Sequence, residues 1–330
     1  MAFVVSSLPD YSEINREQII KKAVLGGKFI ERMTKQTGIK KDALLNYLAV
    51  SPVLQSGASC GFNASGDTTF TQRTLSTADI KVNMSWCTKT LVGKWNEYQV
   101  RIAANPNAET LPFWDEILEQ LLAELNKKRE NLIWNGDITS SDADIKWHNG
   151  LIKLALADST VIDVTVAAGS SYIKAVKDVY LAIPAEVLDK AQIFVNPSFF
   201  RALSVELAEK SGAYFRAEDA DPEVLYIPGI ACPVVKVNGI GSSNYIFAAD
   251  PAELFFGCDL ENGAEDARLW YSDDDDLFKL KINWNQGVQY AFGDHIVLGA
   301  YSTLTSPDAD GALAELASAN HVFKTQEQGS

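Results

Sequence analysis

Between Asp79 and Leu91 the chain reads "DIKVNMSWCTKTL", in which Ile80, Val82, Met84 and Trp86 alternate with Lys81, Asn83, Ser85 and Cys87. Successive side chains of an extended strand point to opposite faces, so this spacing predicts a β-strand with one apolar and one polar side. The Thr-rich stretch 68–77 comes just before it, and the two together read as a long hairpin. A two-stranded ribbon is marginal in water because it has nothing of its own to lay over the apolar row. The neighbouring "SGASCGFNASGDTT" is small and polar and offers no cover. The row therefore has to be covered from elsewhere, and a second copy of the chain is one source of that cover.

Periodicity organises the rest of the chain. In "NREQIIKKAVLGGKFIERMTKQTG", Asn15 can cap, Ile19, Ile20, Ala23, Val24 and Ile30 recur at helical spacing, and Gly38 stops the run. Gly26-Gly27 predicts a bend, since each glycine weakens a helix by roughly 1 kcal/mol relative to alanine. "KKDALLNYLAV" predicts a short second helix. The plainest helix spans 112–135, with Thr110 as cap, Pro112 in the first turn, a stripe of Leu118, Leu121, Leu122 and Leu125, and Gly136 at its end. At ~1.5 Å per residue it is a rod of roughly 36 Å. Residues 150–250 alternate: "SYIKAVKDVYLAI", "PAEVLDK" and "PSFFRALSVELAEK" read as helices, and "AQIFVN", "PGIACPVVKV" and "YIFAA" as strands. Beyond them "ELFFG", "ARLWY", "LFKLKINW", "GVQYAF" and "HIVLGAY" are strands, and the last twenty-odd residues read as a loosely held tail.

The four successive aspartates Asp273–Asp276 are the most conspicuous candidate for chemistry. A calcium loop beginning at Asp273 needs glycine at its sixth position and glutamate at its twelfth, where this chain has Phe278 and Trp284. Adjacent carboxylates on one loop face different ways, and no partner stands nearby to make a catalytic pair. Phe278, Leu280, Ile282 and Trp284 alternate with Lys279, Lys281 and Asn283, so the run is best read as the acidic tip of a hairpin, with a contact to basic neighbours as the next reading. Gly57-Ala58-Ser59-Cys60-Gly61 matches a nucleophile elbow but lacks the strand–turn–helix setting. His148, His295 and His321 show no metal-ligand spacing, and "GIGSSN" at 239–244 is no dinucleotide fingerprint. No cofactor or metal is expected, and no enzyme.

Charge narrows the partners. The net charge of −14 disfavours general binding to nucleic acid or anionic membrane, although local basic faces remain open. Residues 1–50 hold eight Lys/Arg against five acids, a balance of +3, while 241–330 hold four against fifteen, a balance of −11. Copies of the chain can therefore attract one another front to back. The spacing of Cys60, Cys87, Cys232 and Cys258 suits reduced thiols. No signal peptide or membrane span is read, so the expectation is a soluble intracellular product.

Helical arm, long hairpin, rod-like helix, a lobe with "FVNPSFFRAL" and "YIPGIACPVVKV", and the closing "IFAADPAELFFGCDLENGAEDARLWYSDDDDLFKLKINWNQGVQYAFGDHIVLG" follow in an order that resembles the major capsid protein of tailed double-stranded DNA bacteriophages, the Hong Kong 97-like fold. The resemblance covers about residues 10–300 and implies an α+β chain. Its parts would be an N-terminal helical arm (1–55), an extended β-hairpin loop (56–100), a β-rich peripheral domain (101–139 and 251–300) holding the spine helix 112–135, an α/β axial domain (140–250) and a C-terminal tail (301–330). It implies hexamers and pentamers in an icosahedral shell around packaged double-stranded DNA, in a virion assembled in the bacterial cytoplasm. Portal, scaffold and decoration or minor capsid proteins would be its partners, and no membrane. The subunit interface is placed on Ile80, Val82, Met84 and Trp86 with Lys81 and Lys89. Some family members weld subunits by a Lys–Asn bond, for which Lys81, Lys89 or Lys94 with Asn283 or Asn285 are the candidates. No scaffolding segment is read at the N-terminus. The rivals are an encapsulin-like nanocompartment shell and, from another class, a carboxylate-dependent glycan hydrolase using Glu253 or Asp259.

Overall fold

The computed structural model describes residues 29–39, 41–54, 65–87, 113–211, 223–259, 266–272, 274–302 and 304. The expected N-terminal helix lies largely outside them. Where they begin, the chain forms a single 3-10 turn, Ile30–Arg32, and then strand β1 (Thr34–Gln36). The chain divides into two compact units, Met1–Leu154 with Ala252–Ala291, and Ala155–Pro251 with Phe292–Ser330.

In the first unit, β1, β4 (Ala78–Cys87), β10 (Leu254–Cys258), β11 (Asp266–Ser272) and β12 (Leu277–Tyr290) form one sheet. The two strands read separately as "LFKLKINW" and "GVQYAF" are the single fourteen-residue β12, to which β4, β10 and β11 all pair antiparallel. Its burial alternates because Phe278, Leu280, Ile282 and Trp284 face the core while Lys279, Lys281 and Asn283 face away. β2 (Asp42–Pro52) and β3 (Gly66–Ser76) pair only with each other among the described residues. Two expectations are corrected here. "KKDALLNYLAV" is strand rather than helix, and the Thr-rich stretch pairs back onto it rather than forward onto 78–87.

Helix α1 (Phe113–Asn135) is the rod the leucine stripe predicts, with Leu118, Leu122 and Leu125 buried. Its C-terminal end is locked by a buried polar network. The Gln286 side-chain oxygen accepts from Arg129 Nε at 3.1 Å and from Trp284 Nε1 at 2.9 Å. The Gln286 amide nitrogen stands 3.2 Å from His148 Nε2, and His148 Nδ1 is 3.0 Å from the Asn149 carbonyl oxygen. With both donors on the Gln286 oxygen, its amide must donate to an unprotonated His148 Nε2, so the ring's one proton sits on Nδ1. Burial holds the His148 pKa down at about 4. Gly136 and Gly150 meet face to face beyond the helix, where a Cβ on Gly150 would stand 2.6 Å from the Trp134 carbonyl oxygen.

The second unit carries a six-stranded sheet in the order β5 (Ile162–Thr165), β13 (Val297–Ala300), β9 (Tyr245–Ala249), β6 (Gln192–Val195), β8 (Val234–Lys236), β7 (Val224–Leu225). A short helix α2 (Leu151–Ala157) leads into it, and α3 (Tyr172–Ala182) and α4 (Pro197–Ser211) share its core through Val176, Val179, Leu203 and Phe199. Ser171 caps α3 by accepting from Lys174 N at 3.2 Å. Asn196 caps α4 by accepting from Phe199 N at 2.7 Å, with Pro197 at the first position, where no amide is needed. "PAEVLDK" forms turns rather than the expected helix.

Candidate subunit interface

The β4–β12 register sets Ile80 beside Trp284, Val82 beside Ile282, Met84 beside Leu280 and Trp86 beside Phe278. Paired residues of an antiparallel ladder share a face, so the apolar row predicted from sequence meets an apolar row of its own chain. Part of the cover that the row needs from elsewhere thus comes from the chain's own β12 rather than from another copy. Ile80 is 7% exposed and belongs to the chain's own core, whereas Met84 keeps 36% of its surface. Val82 and Trp86 are half-buried. Cover thins toward the outer end of β4, which leaves Met84 and Trp86 as the members of the row with surface to offer. Lys81 is exposed on the opposite face, level with Asn283, and Lys89 lies outside the described residues, as does Lys94. Asn285 is buried and donates to Asp79 Oδ1 at 2.9 Å, so of the proposed bonding partners only Asn283 stands level with a described lysine.

The extended ribbon is instead β2–β3. Its base is fixed to the sheet by several independent contacts. Leu75 is fully buried with Ile39 and Leu45, which is worth about 1.5–3 kcal/mol for a side chain of this size. Gln289 Nε2 donates to the Thr74 carbonyl at 3.0 Å, and the Arg73 guanidinium lies 4.7 Å from the centre of the Tyr290 ring. Gly287 admits the strand end so closely that a Cβ there would overlap the Ser76 carbonyl oxygen. Above this base the ladder continues for seven further pairs, Asn46↔Gln72 to Pro52↔Gly66, with no third strand among the described residues. At about 3.4 Å per residue that is a projection of roughly 24 Å. Leu44 is 59% exposed and Leu54 98%. The sequence signal for it was present, since Leu44 points out and Leu45 in, but the run's leucines and alanines spoke for a helix.

The aspartate run falls at the tip of the β11–β12 hairpin, as the alternation around it predicts: Ser272 pairs with Leu277, and of the four aspartates the described Asp274–Asp276 lie in the turn between them. Asp276 adopts a left-handed backbone (φ 53°), a conformation that Asp tolerates better than most residues. Tyr271 Oη donates to Asp276 Oδ1 at 2.6 Å, Ser272 Oγ to Asp275 Oδ2 at 3.1 Å, and Lys279 pairs with Asp275. The Lys279 ammonium is the main reason the Asp275 carboxyl lies below the usual range. Among the described residues no three His, Cys, Asp or Glu side chains cluster as metal ligands do.

The other chemical candidates stay apart. The five residues of β10 separate Glu253 from Asp259, about 20 Å along an extended chain, whereas paired glycosidase carboxylates stand about 5–9.5 Å apart. His295 lies 3.8 Å from Glu186 and against Phe292. Ser59 and His321 fall outside the described residues. Cys87, Cys232 and Cys258 are free thiols. No helix among the described residues is long and apolar enough to cross a membrane.

These elements define a mixed α+β fold that recurs in solved structures of viral particles. A chain of the satellite phage P4 procapsid matches with a TM-score of 0.55 at 11% identity, over 88% of this chain and 98% of that one. A chain of Mycobacterium phage Ogopogo matches with a TM-score of 0.58 at 10% identity, over 84% and 92%. A chain of the virus-like particle from Pyrococcus furiosus matches with a TM-score of 0.51 at 11% identity, over 88% and 99%. At such identities the likeness is one of fold. No protein-family model and no curated protein matches the sequence.

Proposed function

We propose that this chain is a shell-forming structural subunit, a major capsid protein of the Hong Kong 97-like type. The reading rests on the likeness to the P4 procapsid chain, which covers 88% of this chain and 98% of that one. A β2–β3 ribbon standing clear of its sheet suits a subunit that lays part of itself over a neighbour, because a free two-stranded ribbon is marginal until something covers it. The role of the extended loop thus passes from 56–100 to 42–76, and the interface residues we favour on β4 are Met84 and Trp86, with Lys81 at its polar side and Lys89, outside the described residues, kept as a candidate. Hexamers and pentamers closing an icosahedral shell around double-stranded DNA, with portal, scaffold and decoration proteins as partners in a virion assembled in the host bacterial cytoplasm, complete the proposal. Its work is mechanical and calls for no catalytic site.

The likeness to the Pyrococcus furiosus particle supports a second reading, a nanocompartment shell around a protein cargo. Negative-stain electron microscopy of the purified chain tests shell against soluble enzyme. Closed particles of uniform diameter support the proposal, and a monodisperse monomer at tens of micromolar refutes it. Particles purified from the native source separate the two readings, by nuclease-protected DNA in one case and a co-purifying enzyme in the other.

A further inference from the structure

The polar face of the β4–β12–β11 sheet carries a cleft of about 490 Å³, lined by Lys81, Asn83, Ser85, Trp270, Lys279 and Lys281 among others. A volume of that order is what small-molecule sites have. The strand registers place Lys279 between Ser85 and Trp270, Lys281 between Asn83 and Arg268, and Lys81 beside Asn283. Trp270, Lys281 and Lys81 therefore run diagonally across the three strands, in two steps of roughly 7–8 Å each. Lys279 is already paired with Asp275 of its own hairpin. Lys81 and Lys281 have no carboxylate at salt-bridge distance among the described residues, and Trp270 is 38% exposed. Asp79, the acid on this face of β4, accepts from Asn285. The acidic turn ends at Asp276, five residues from Lys281, about 17 Å along the strand. That exceeds the screening length of about 8 Å at physiological salt, so the turn does little to repel an anion held at Lys281.

We propose that this cleft binds a nucleotide whose base is unpaired, with its phosphates on Lys81 and Lys281 and its base against Trp270. Two lysines without a carboxylate partner call for an anion. An exposed indole beside them offers a stacking surface that a base can use and a carboxylate side chain cannot. A duplex cannot use it either, because its bases are stacked inside. Asn83 and Ser85 line the same cleft and supply hydrogen bonds to sugar or base edges. The net charge of −14 discourages nucleic acid over the surface at large, so the affinity is local to this cleft. The same chemistry comes from two sources, a free nucleoside triphosphate or one unit of a single strand. The inference goes beyond the shell reading and does not depend on it.

Fluorescence anisotropy of the full chain with two probes, a labelled oligothymidylate and a labelled ATP, tests it. Saturable, salt-sensitive binding is expected, and the probe that binds identifies the source. Lys81→Gln/Lys281→Gln is expected to weaken oligothymidylate binding at least about tenfold, and to flatten the slope of log affinity against log salt by about 1.4, two contacts at about 0.7 each. Trp270→Leu is expected to weaken it about fivefold or more with the slope unchanged, and Trp270→Phe, which keeps a ring, to recover most of the loss. Thermal unfolding of each variant, within a few degrees of the parent, shows that the subunit still folds. A parent chain that binds neither probe overturns the inference, and so does binding that Lys81→Gln/Lys281→Gln and Trp270→Leu both retain. A duplex that binds as tightly as the single strand, or polyglutamate that displaces the probe equally well, also overturns it, leaving a general anion contact. Particle formation, scored separately, reports on the shell reading alone.

Discussion

His148 makes the interior of the first unit sensitive to acid by an amount that follows from its surroundings. Its Nε2 must accept from the Gln286 amide, whose oxygen already takes hydrogen bonds from Arg129 and Trp284. Protonating the ring places an N–H against an N–H₂, and turning the Gln286 amide over only sets its NH₂ against the two donors on the other side. Burial, which disfavours the charged ring, holds the folded-state pKa down at about 4 against an ordinary value of 6.5. In acid the unfolded chain binds the proton first, so this group contributes no pH dependence above pH 6.5 and destabilises the fold progressively from there down to about 4. At 1.36 kcal/mol per unit the full loss is about 3 kcal/mol. Urea unfolding of the unassembled chain between pH 7.5 and 4, compared with His148→Gln, isolates the contribution from that of the carboxylates. The parent should lose about 3 kcal/mol more than the variant over this range. Parallel curves for the two proteins, or a His148 resonance, assigned by its loss in His148→Gln, that titrates near 6.5 by NMR in the folded chain, would refute the reasoning.

Other consequences are more local. Gly287→Ala drives a Cβ onto the Ser76 carbonyl and within 3.0 Å of Thr77 Cα, backbone atoms that cannot swing aside, and should cost about 2–3 kcal/mol in urea unfolding. Gly257→Ala meets the Leu75 and Ile39 side chains instead, at 2.8 and 3.0 Å, and should cost less; the reverse order would contradict the anchoring of the ribbon base. Cys87 is exposed at the outer end of β4 while Cys232 and Cys258 are buried, so among these three a maleimide should label Cys87 alone in the folded chain. If Met84 and Trp86 meet a neighbour, that labelling falls on assembly, and equal labelling in particles would remove β4 from the interface.

What could be read from the sequence was whatever a local period encodes. The leucine stripe of α1, the alternation of β4 and β12, the Asn196-Pro197 start of α4 and the aspartate hairpin tip all depend on neighbours within a few residues, and the structure has each of them. β2 was misread because Ala43, Leu44, Leu45 and Leu48 are good helix formers, and intrinsic propensity yields when a partner strand supplies eleven ladder pairs. The cover for Ile80 was misassigned for a different reason. Its neighbour Trp284 is some two hundred residues away, and no single sequence records which distant strand will claim an apolar face. The buried Arg129–Gln286–His148 network escaped notice for the same reason, since its members come from α1, β12 and the loop after Gly136. The β2–β3 ribbon, which we propose as part of the interface, is the element the sequence hid.

The central claim is that copies of this chain complete one another's surfaces in a closed shell. A cryo-EM reconstruction of the assembled protein tests it most directly. The account predicts an icosahedral map in which the β2–β3 ribbon of each copy lies on an adjacent one. A map with each ribbon folded onto its own subunit, or a preparation that yields only isolated subunits, would contradict it.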